Sequence, residues 1–380
     1  MTKKKKIKTM VLMKSAEPTY GFPHELVEEI LSRSPAKSLL RFKCVSKAWR
    51  ALISYSKFIN LHHDRAVHRN KFSLVLSNPK SIYSVIDDPT TAAIPSYALN
   101  GRRGSWDFLV RGCCDGLLLL VSVAKDLLRI WNPTTRDFRD VPSPSKPVLD
   151  TLYGLGYGSN RNDYQVVTVR CKPNVEVEIF SMQSQSWRRV ESTNAMLSIF
   201  DSISFSVLVN EFDGNFANGA NHWLGYSSDN ATNNKEWKVI SFDLGGEEFK
   251  GILLPEQARR SHCDPKLIVR GESIYLFIDD LRVSAFNIFA IEEYGVRDSW
   301  CQLYTIPDSV GTLFDTFCFM DDGKILLHEN RSDPVLYDPK SGESMQIKIW
   351  ECLSGNLINW FSIHAYTPSL VSIQHPRSKG

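Results

Sequence analysis

The sequence has no pair of cysteines at metal-ligating or redox spacing, no apolar run long enough for a membrane and no marked excess of either charge. Its eight cysteines, at 44, 113, 114, 171, 263, 301, 318 and 352, include no C-x-x-C, which argues against a zinc ribbon or a thioredoxin-like centre. The longest apolar run, "GLLLLVSVA" at 116–124, falls short of a bilayer span and is bounded by Asp115, Lys125 and Asp126. Net charge is +3, too mild for the basic footprint of a nucleic-acid-binding domain. The lysine run "KKKKIK" at 3–8 lacks the long apolar core and small-residue cleavage site of a secretory signal. Residues 1–20 read as a solvated basic tail, with a nuclear address as the alternative. An intracellular chain is expected, in the cytoplasm, the nucleus or both, with reduced and mostly buried thiols.

Catalytic and metal-binding patterns are equally scarce. "GLGYGSN" at 154–160 fails the G-x-G-x-x-G spacing and precedes no helix signal, so it reads as a hairpin or turn. Cys113-Cys114, His62-His63 and His262-Cys263 are adjacent pairs, and neighbours on a strand point to opposite faces. No catalytic residue, metal or cofactor is proposed.

What the chain does have is two kinds of periodicity. In "GFPHELVEEILSRSPAKSLLRFKCVSKAWRALI" at 21–53, Leu26, Val27, Ile30 and Leu31 form one apolar helical stripe behind Glu25, Glu28 and Glu29. Ser34 is placed to cap a second helix with Pro35 in its first position. Leu39, Leu40, Phe42 and Val45 make the next apolar face. Ser46 is placed to cap a third helix carrying Trp49, Leu52 and Ile53. So small a unit cannot bury so many large side chains against one another. It must dock on the rest of the chain or keep an apolar face for a partner.

From about residue 71 the pattern becomes short strands punctuated by turn residues. Trp131 and Phe138, Phe180 and Trp187, and Phe242 and Phe249 stand seven apart across polar turns; Tyr337 and Met345 stand eight apart, and Phe289 and Trp300 eleven. Each set reads as a hairpin. The leading aromatics at 131, 180, 242, 289 and 337 recur at intervals of 49, 62, 47 and 48. "DGLLLL", "NGANHWL", "RGESIYLF" and "DDGKILLH" supply a further strand upstream of most of them. A period near fifty in an all-strand chain marks a kelch-like β-propeller, because one blade cannot cover its own faces and must stack on its neighbours. Five blades are clear, and a sixth is expected from strands in 72–99 combined with "FSIHAYTPSLVSI" at 361–373.

At this point the residues resemble a known family. The 21–62 stretch, and "EILSRSPAKSLLRFKCVSKAWRALIS" in particular, resembles a plant F-box. "NPTTRDFRDVP", "GLGYGSNRNDYQVV", "VEIFSMQSQSWRRV" and "VISFDLGGEEF" resemble the kelch-type domain that follows the F-box in a large plant family. The resemblance implies a mainly β chain: an F-box of three helices at 21–62, a linker at 63–70 that is helical or tightly packed, and a propeller of about six blades at 71–376. It also implies a non-catalytic substrate-recognition subunit of an SCF-type (cullin) ubiquitin ligase. The F-box would bind a Skp-type adaptor, and through it a cullin; the propeller would hold a target protein. Carried over by position, the adaptor-facing residues are Pro23, Leu26, Ile30, Leu31, Pro35, Leu39, Leu40, Val45 and Trp49. Ser34 departs from the family, where Leu is usual, and the propeller lacks the paired glycines of typical kelch repeats. Arg102, Arg103 and Trp106, in a long loop, are candidates for target binding, as are the loops at 193–217, 226–236 and 255–265. Neither a nucleic acid nor a membrane is an expected partner. The competing readings are a propeller scaffold that has lost adaptor binding, and a propeller enzyme or sugar-binding module.

Overall fold

Short antiparallel hairpins, each too small to hide its own apolar faces, recur along most of this chain and stack on one another around an axis. The computed structural model describes residues 23–69, 73–78, 81–85, 108–122, 126–144, 151–170, 175–191, 214–228, 235–259, 265–280, 285–296, 299–307, 316–320, 322–328, 334–347 and 362–373. Among the described residues four helices come first: α1 His24–Ser32, α2 Ala36–Phe42, α3 Lys47–Ile53 and α4 Ser56–His68. α4 adds to the three helices expected and runs through most of the expected linker at 63–70.

Five four-stranded blades follow among the described residues, the first and third of them joined edge to edge into one eight-stranded sheet. They are β3 Phe108–Cys114 to β6 Phe138–Val141, β7 Thr151–Gly158 to β10 Ser186–Val190, and β11 Gly214–Ala217 to β14 Glu248–Leu253. The last two are β15 Lys266–Arg270 to β18 Trp300–Pro307 and β19 Thr316–Phe319 to β22 Ser344–Gln346. A short helix, α5 Glu256–Arg259, separates the third from the fourth. The sixth blade joins distant parts of the chain: β1 Ser73–Asn78 pairs with β2 Ser81–Val85 on one edge and with β23 Ser362–Tyr366 on the other. The innermost strands neighbour one another in the order β3, β7, β11, β15, β19, β23 and back to β3, which closes the ring. The architecture is the expected β-propeller of six blades.

The aromatic spacing works because it marks cross-strand partners. Trp131 pairs with Phe138, Phe180 with Trp187 and Phe242 with Phe249. The last two couples hold their ring centroids 5.4 and 4.8 Å apart. Met345 lies opposite Leu336, one place from Tyr337, and Phe289 lies opposite Gln302 because a bulge follows Ile288. Apolar layers then cement blade to blade. Leu119 and Ile130 meet Leu155 and Phe180; Val167 and Ile179 meet Trp223 and Ile240; Trp237 and Val239 meet Leu276 and Phe289. At the closure, Val75 and Tyr366 meet Leu118 and Trp131.

The axis itself is tight. β3 and β11, from alternate blades, approach closely enough to pair in parallel through Gly112–Gly214 and Cys113–Asn215. A Cβ on Gly214 would lie 2.3 Å from the Tyr153 carbonyl oxygen and 2.6 Å from the Gly154 Cα. The glycine-rich stretch at 154–160 forms the end of strand β7 and enters the tight turn of its hairpin with the next strand, as expected; Gly154 and Gly156 leave room for the Asn221 and Phe216 side chains, while Gly112 and Gly214 let the inner strands crowd together. Burial also pushes the Cys113 thiol up to about 12. Cys114 is buried as expected, whereas Cys44 is exposed.

Two predictions follow from this packing. Gly214→Ala forces backbone apart at the axis and is expected to destabilise the chain by about 1–3 kcal/mol, read by thermal denaturation. Burial lowers both His222 and His328 to about 4; the His222 Nδ1–H donates to the Asn215 carbonyl at 3.0 Å and its Nε2 accepts from the Tyr294 hydroxyl at 2.8 Å. Between roughly pH 6.5 and 4 the unfolded chain binds protons that these folded histidines refuse. Stability is therefore expected to fall with pH across that window, by up to about 1.4 kcal/mol per pH unit for each histidine. Replacing His222 with Gln should flatten the profile measured by denaturant titration.

Candidate docking surface of the N-terminal helices

α1 begins after Pro23, whose extended backbone (ψ 142°) cannot continue into the helix, and Glu25 lies in its first turn. Its apolar residues divide between two directions. Leu31 is buried at 2% exposure and Val27 packs on the same core, whereas Leu26 and Ile30 are 49% and 63% exposed. The two pairs have i, i+4 spacing, so α1 carries one apolar stripe inward and another outward. The second helix repeats the division: Ala36 and Leu39 are buried, while Val45, in the turn after it, is 51% exposed.

Ser34 does not cap α2. Pro35 itself holds the cap position, and the Ser34 hydroxyl donates to the Ile30 carbonyl at 3.1 Å, closing the end of α1 instead. Ser46 does cap α3, accepting from the Trp49 N–H at 3.1 Å. Trp49 then stands edge-on to Phe42, with ring centroids 5.6 Å apart.

Of the nine residues nominated from sequence, Pro23, Leu26, Ile30, Pro35 and Val45 are exposed, Leu40 and Trp49 are half-buried, and Leu31 and Leu39 are buried. The two buried leucines belong to the core of the helices rather than to an outer face. That core is Leu31, Ala36, Leu39, Ile53 and Phe58, together with Leu370 from the far end of the sequence. Arg102, Arg103 and Trp106 lie outside the described residues.

Leu370 was not foreseen, and it is the means by which the helices are fixed to the propeller. It sits on a strap that follows β23. Asn132, wholly buried in the turn between β5 Leu127–Trp131 and β6, grips this strap by donating from Nδ2 to the Ser369 and Val371 carbonyls at 3.2 and 2.9 Å. Its Oδ1 accepts from the N–H groups of Thr134 and Thr135, an Asx turn that fixes the side chain. Gly116, at φ +80°, leaves room for the strap; a Cβ there would meet the Thr367 carbonyl oxygen at 2.3 Å.

α4 supplies the second attachment. On the helical side, the His62 Nε2–H donates to the Ser34 carbonyl at 2.9 Å, and Arg65 pairs with Glu29 at 2.5 Å. That hydrogen bond, with Arg33 nearby, holds the Glu29 carboxyl below the usual carboxylate range. On the propeller side, His63 Nε2 faces Asp115 Oδ1 at 3.0 Å, while Asp115 Oδ2 accepts from the Tyr164 hydroxyl at 2.8 Å. Ile59 packs on the apolar layer between the first two four-stranded blades, and Val67 reaches the turn at Gly271 in the fourth. α4 thus crosses the face of the ring. Among the described residues there is no group of three His, Cys, Asp or Glu placed to hold a metal, and no helix long and apolar enough to cross a membrane.

An N-terminal helical module with an outward apolar stripe, anchored on a β-propeller, defines the class. The F-box domain profile matches residues 21–61 and the F-box associated beta propeller domain profile matches residues 70–373. The chain belongs to the family of F-box proteins with an F-box associated β-propeller domain. Similar proteins from Arabidopsis thaliana include F-box protein CPR1, 27% identical over 366 residues, covering 87% of this chain and 85% of that protein. Protein SUPPRESSOR OF NIM1 1 is 28% identical over 387 residues, covering 93% and 98%. Among solved structures, a chain of a nidogen/laminin complex superposes with a TM-score of 0.43 at 7% identity, over 78% of this chain and 99% of that one.

Leu370→Ala is expected to cost about 2–5 kcal/mol through the cavity it leaves. In limited proteolysis the cleavages should fall first in α1–α4, before the propeller strands are cut.

Proposed function

We propose that this chain is the substrate-recognition subunit of an SCF-type cullin ubiquitin ligase. Its helices bind a Skp-type adaptor, through which a cullin is engaged, and its propeller holds the protein to be ubiquitylated. The observation that carries this reading is the outward stripe: Leu26, Ile30 and Val45 stay about half or more exposed while Leu31, Leu39 and Ile53 satisfy the core. A small module that leaves large aliphatic side chains in water is built to be covered. Each would contribute about 1.5–3 kcal/mol when buried by a partner.

The role asks no bond-making of the chain itself. Holding a target's lysines near a charged conjugating enzyme raises their effective concentration, and the gain survives only if the spacing is held. The strap through Leu370 and the contact of His63 with Asp115 are suited to holding it. Arg102, Arg103 and Trp106 remain our candidates for target contacts. The alternative is a scaffold that no longer engages the adaptor, with Ser34 as its mark. It predicts that Ser34→Leu produces a large gain in adaptor affinity.

The decisive comparison is between an outward and an inward substitution. Ile30→Asp is expected to weaken binding of the full chain to a purified Skp-type adaptor by about a hundredfold, the loss of some 3 kcal/mol, while leaving the melting temperature nearly unchanged. Leu39→Asp should instead unfold the helices. Unaltered adaptor binding by Ile30→Asp in calorimetric titration would refute the assignment.

A further inference from the structure

Between Glu29 and Asp64 the sequence holds no acidic residue, although the chain has 42, and it holds seven lysines and arginines. This stretch comprises most of the helical module. Arg33 pairs with Glu29 and Lys43 has Asp137 of the propeller as its compensating charge, while Lys37 is half-buried with its Nζ withdrawn from solvent and without a hydrogen-bond partner among the described residues. Arg41, Lys47, Arg50 and Lys57 are exposed and make no ion pair among the described residues, although the Arg50 Nε–H donates to the Lys43 carbonyl at 3.2 Å. In the chain they alternate with exposed Val45 and Tyr55.

The positions of the lysines oppose local stability. α2, α3 and α4 each carry a lysine in the first turn, and none of the three has an acid there. The N-terminal end of a helix carries positive partial charge and favours aspartate or glutamate. One lysine so placed would be unremarkable; three successive helices all of the wrong sign are a local rule broken together. Such breaches mark places where sequence serves something other than folding.

We propose that the docking surface of these helices is electrostatically matched to an acidic protein surface, with Arg41, Lys47, Arg50 and Lys57 facing carboxylates that ring the pocket for the aliphatic stripe. The inference rests on the adaptor reading above and specifies the chemistry of the partner's surface. A polypeptide is favoured over a nucleic acid or a lipid headgroup because Val45, Tyr55 and the Leu26–Ile30 stripe need apolar cover, which a run of phosphates does not supply. Charges at the margin of an apolar patch act chiefly on the rate of encounter and are screened by salt.

The experiment uses the full chain and a purified Skp-type adaptor in stopped-flow association. The wild type should associate about tenfold more slowly when ionic strength is raised from about 50 to about 500 mM. Lys47→Glu with Lys57→Glu should slow association by about tenfold at low salt and remove most of the salt dependence, with little change in dissociation. The same double variant should melt roughly 1–2 °C higher, because each new carboxylate sits at a helix N-terminus. A gain in stability with a loss of association separates a steering role from a folding defect. Association that is independent of salt and unaltered in the double variant overturns the inference while leaving the adaptor reading intact. Failure of the wild type to bind the adaptor at any ionic strength defeats both. Tighter binding to a DNA duplex, or to phosphatidylserine-containing vesicles, than to the adaptor at equal salt, lost in the double variant, also overturns it.

Discussion

One leucine near residue 370 lies in the core of helices that begin at residue 24, and Asn132 holds the strap that brings it there. The arrangement solves a problem of scale. Four short helices bury too little surface to be stable alone, and Leu26, Ile30 and Val45 face outward and add nothing to their core. The deficit is met by a residue from another part of the chain, presented by a clasp of two hydrogen bonds to backbone carbonyls. Because Asn132 also fixes its own turn through Thr134 and Thr135, blade, strap and helices form one connected packing unit. Movement of the module against the ring would empty the Leu370 site, break the clasp and separate His63 from Asp115.

The ring contributes the rigidity that makes such a clasp useful. Its blades are joined by apolar layers rather than by loops, and the last blade is completed by strands from widely separated parts of the sequence. Close approach of β3 and β11 at the axis removes the open bore that a looser ring would keep. On one face α4 then runs from the neighbourhood of Asp115 toward Gly271. A platform of this kind keeps the outward stripe at a fixed position relative to the blades.

Much of this architecture is legible in the sequence, because a hairpin whose flanking aromatics sit seven apart announces its own register. Trp131–Phe138, Phe180–Trp187 and Phe242–Phe249 are direct partners. The outward Leu26 and Ile30 also follow from helical spacing, but periodicity alone does not tell which of two apolar stripes faces out, so the sequence groups Leu31 and Leu39 with them. Other features lie beyond local pattern. A helical or tightly packed linker is expected and α4 supplies it, but its start at Ser56 and the inward contacts of His62 and His63 are not marked by local pattern. The partnership of Asn132 with Val371 spans 239 positions, and nothing near either residue signals the other. "GLGYGSN" reads as a hairpin or turn and does lie in the hairpin that β7 opens, but its spacing does not tell that Gly154 and Gly156 make room for Asn221 and Phe216.

The strap also sets an order of events during synthesis. The first helices leave the ribosome long before Leu370 exists, so their core must wait, unfinished, while every blade is made. A nascent or truncated chain would expose the stripe without the framework that orients it. Completion of the helical core is thereby coupled to completion of the ring.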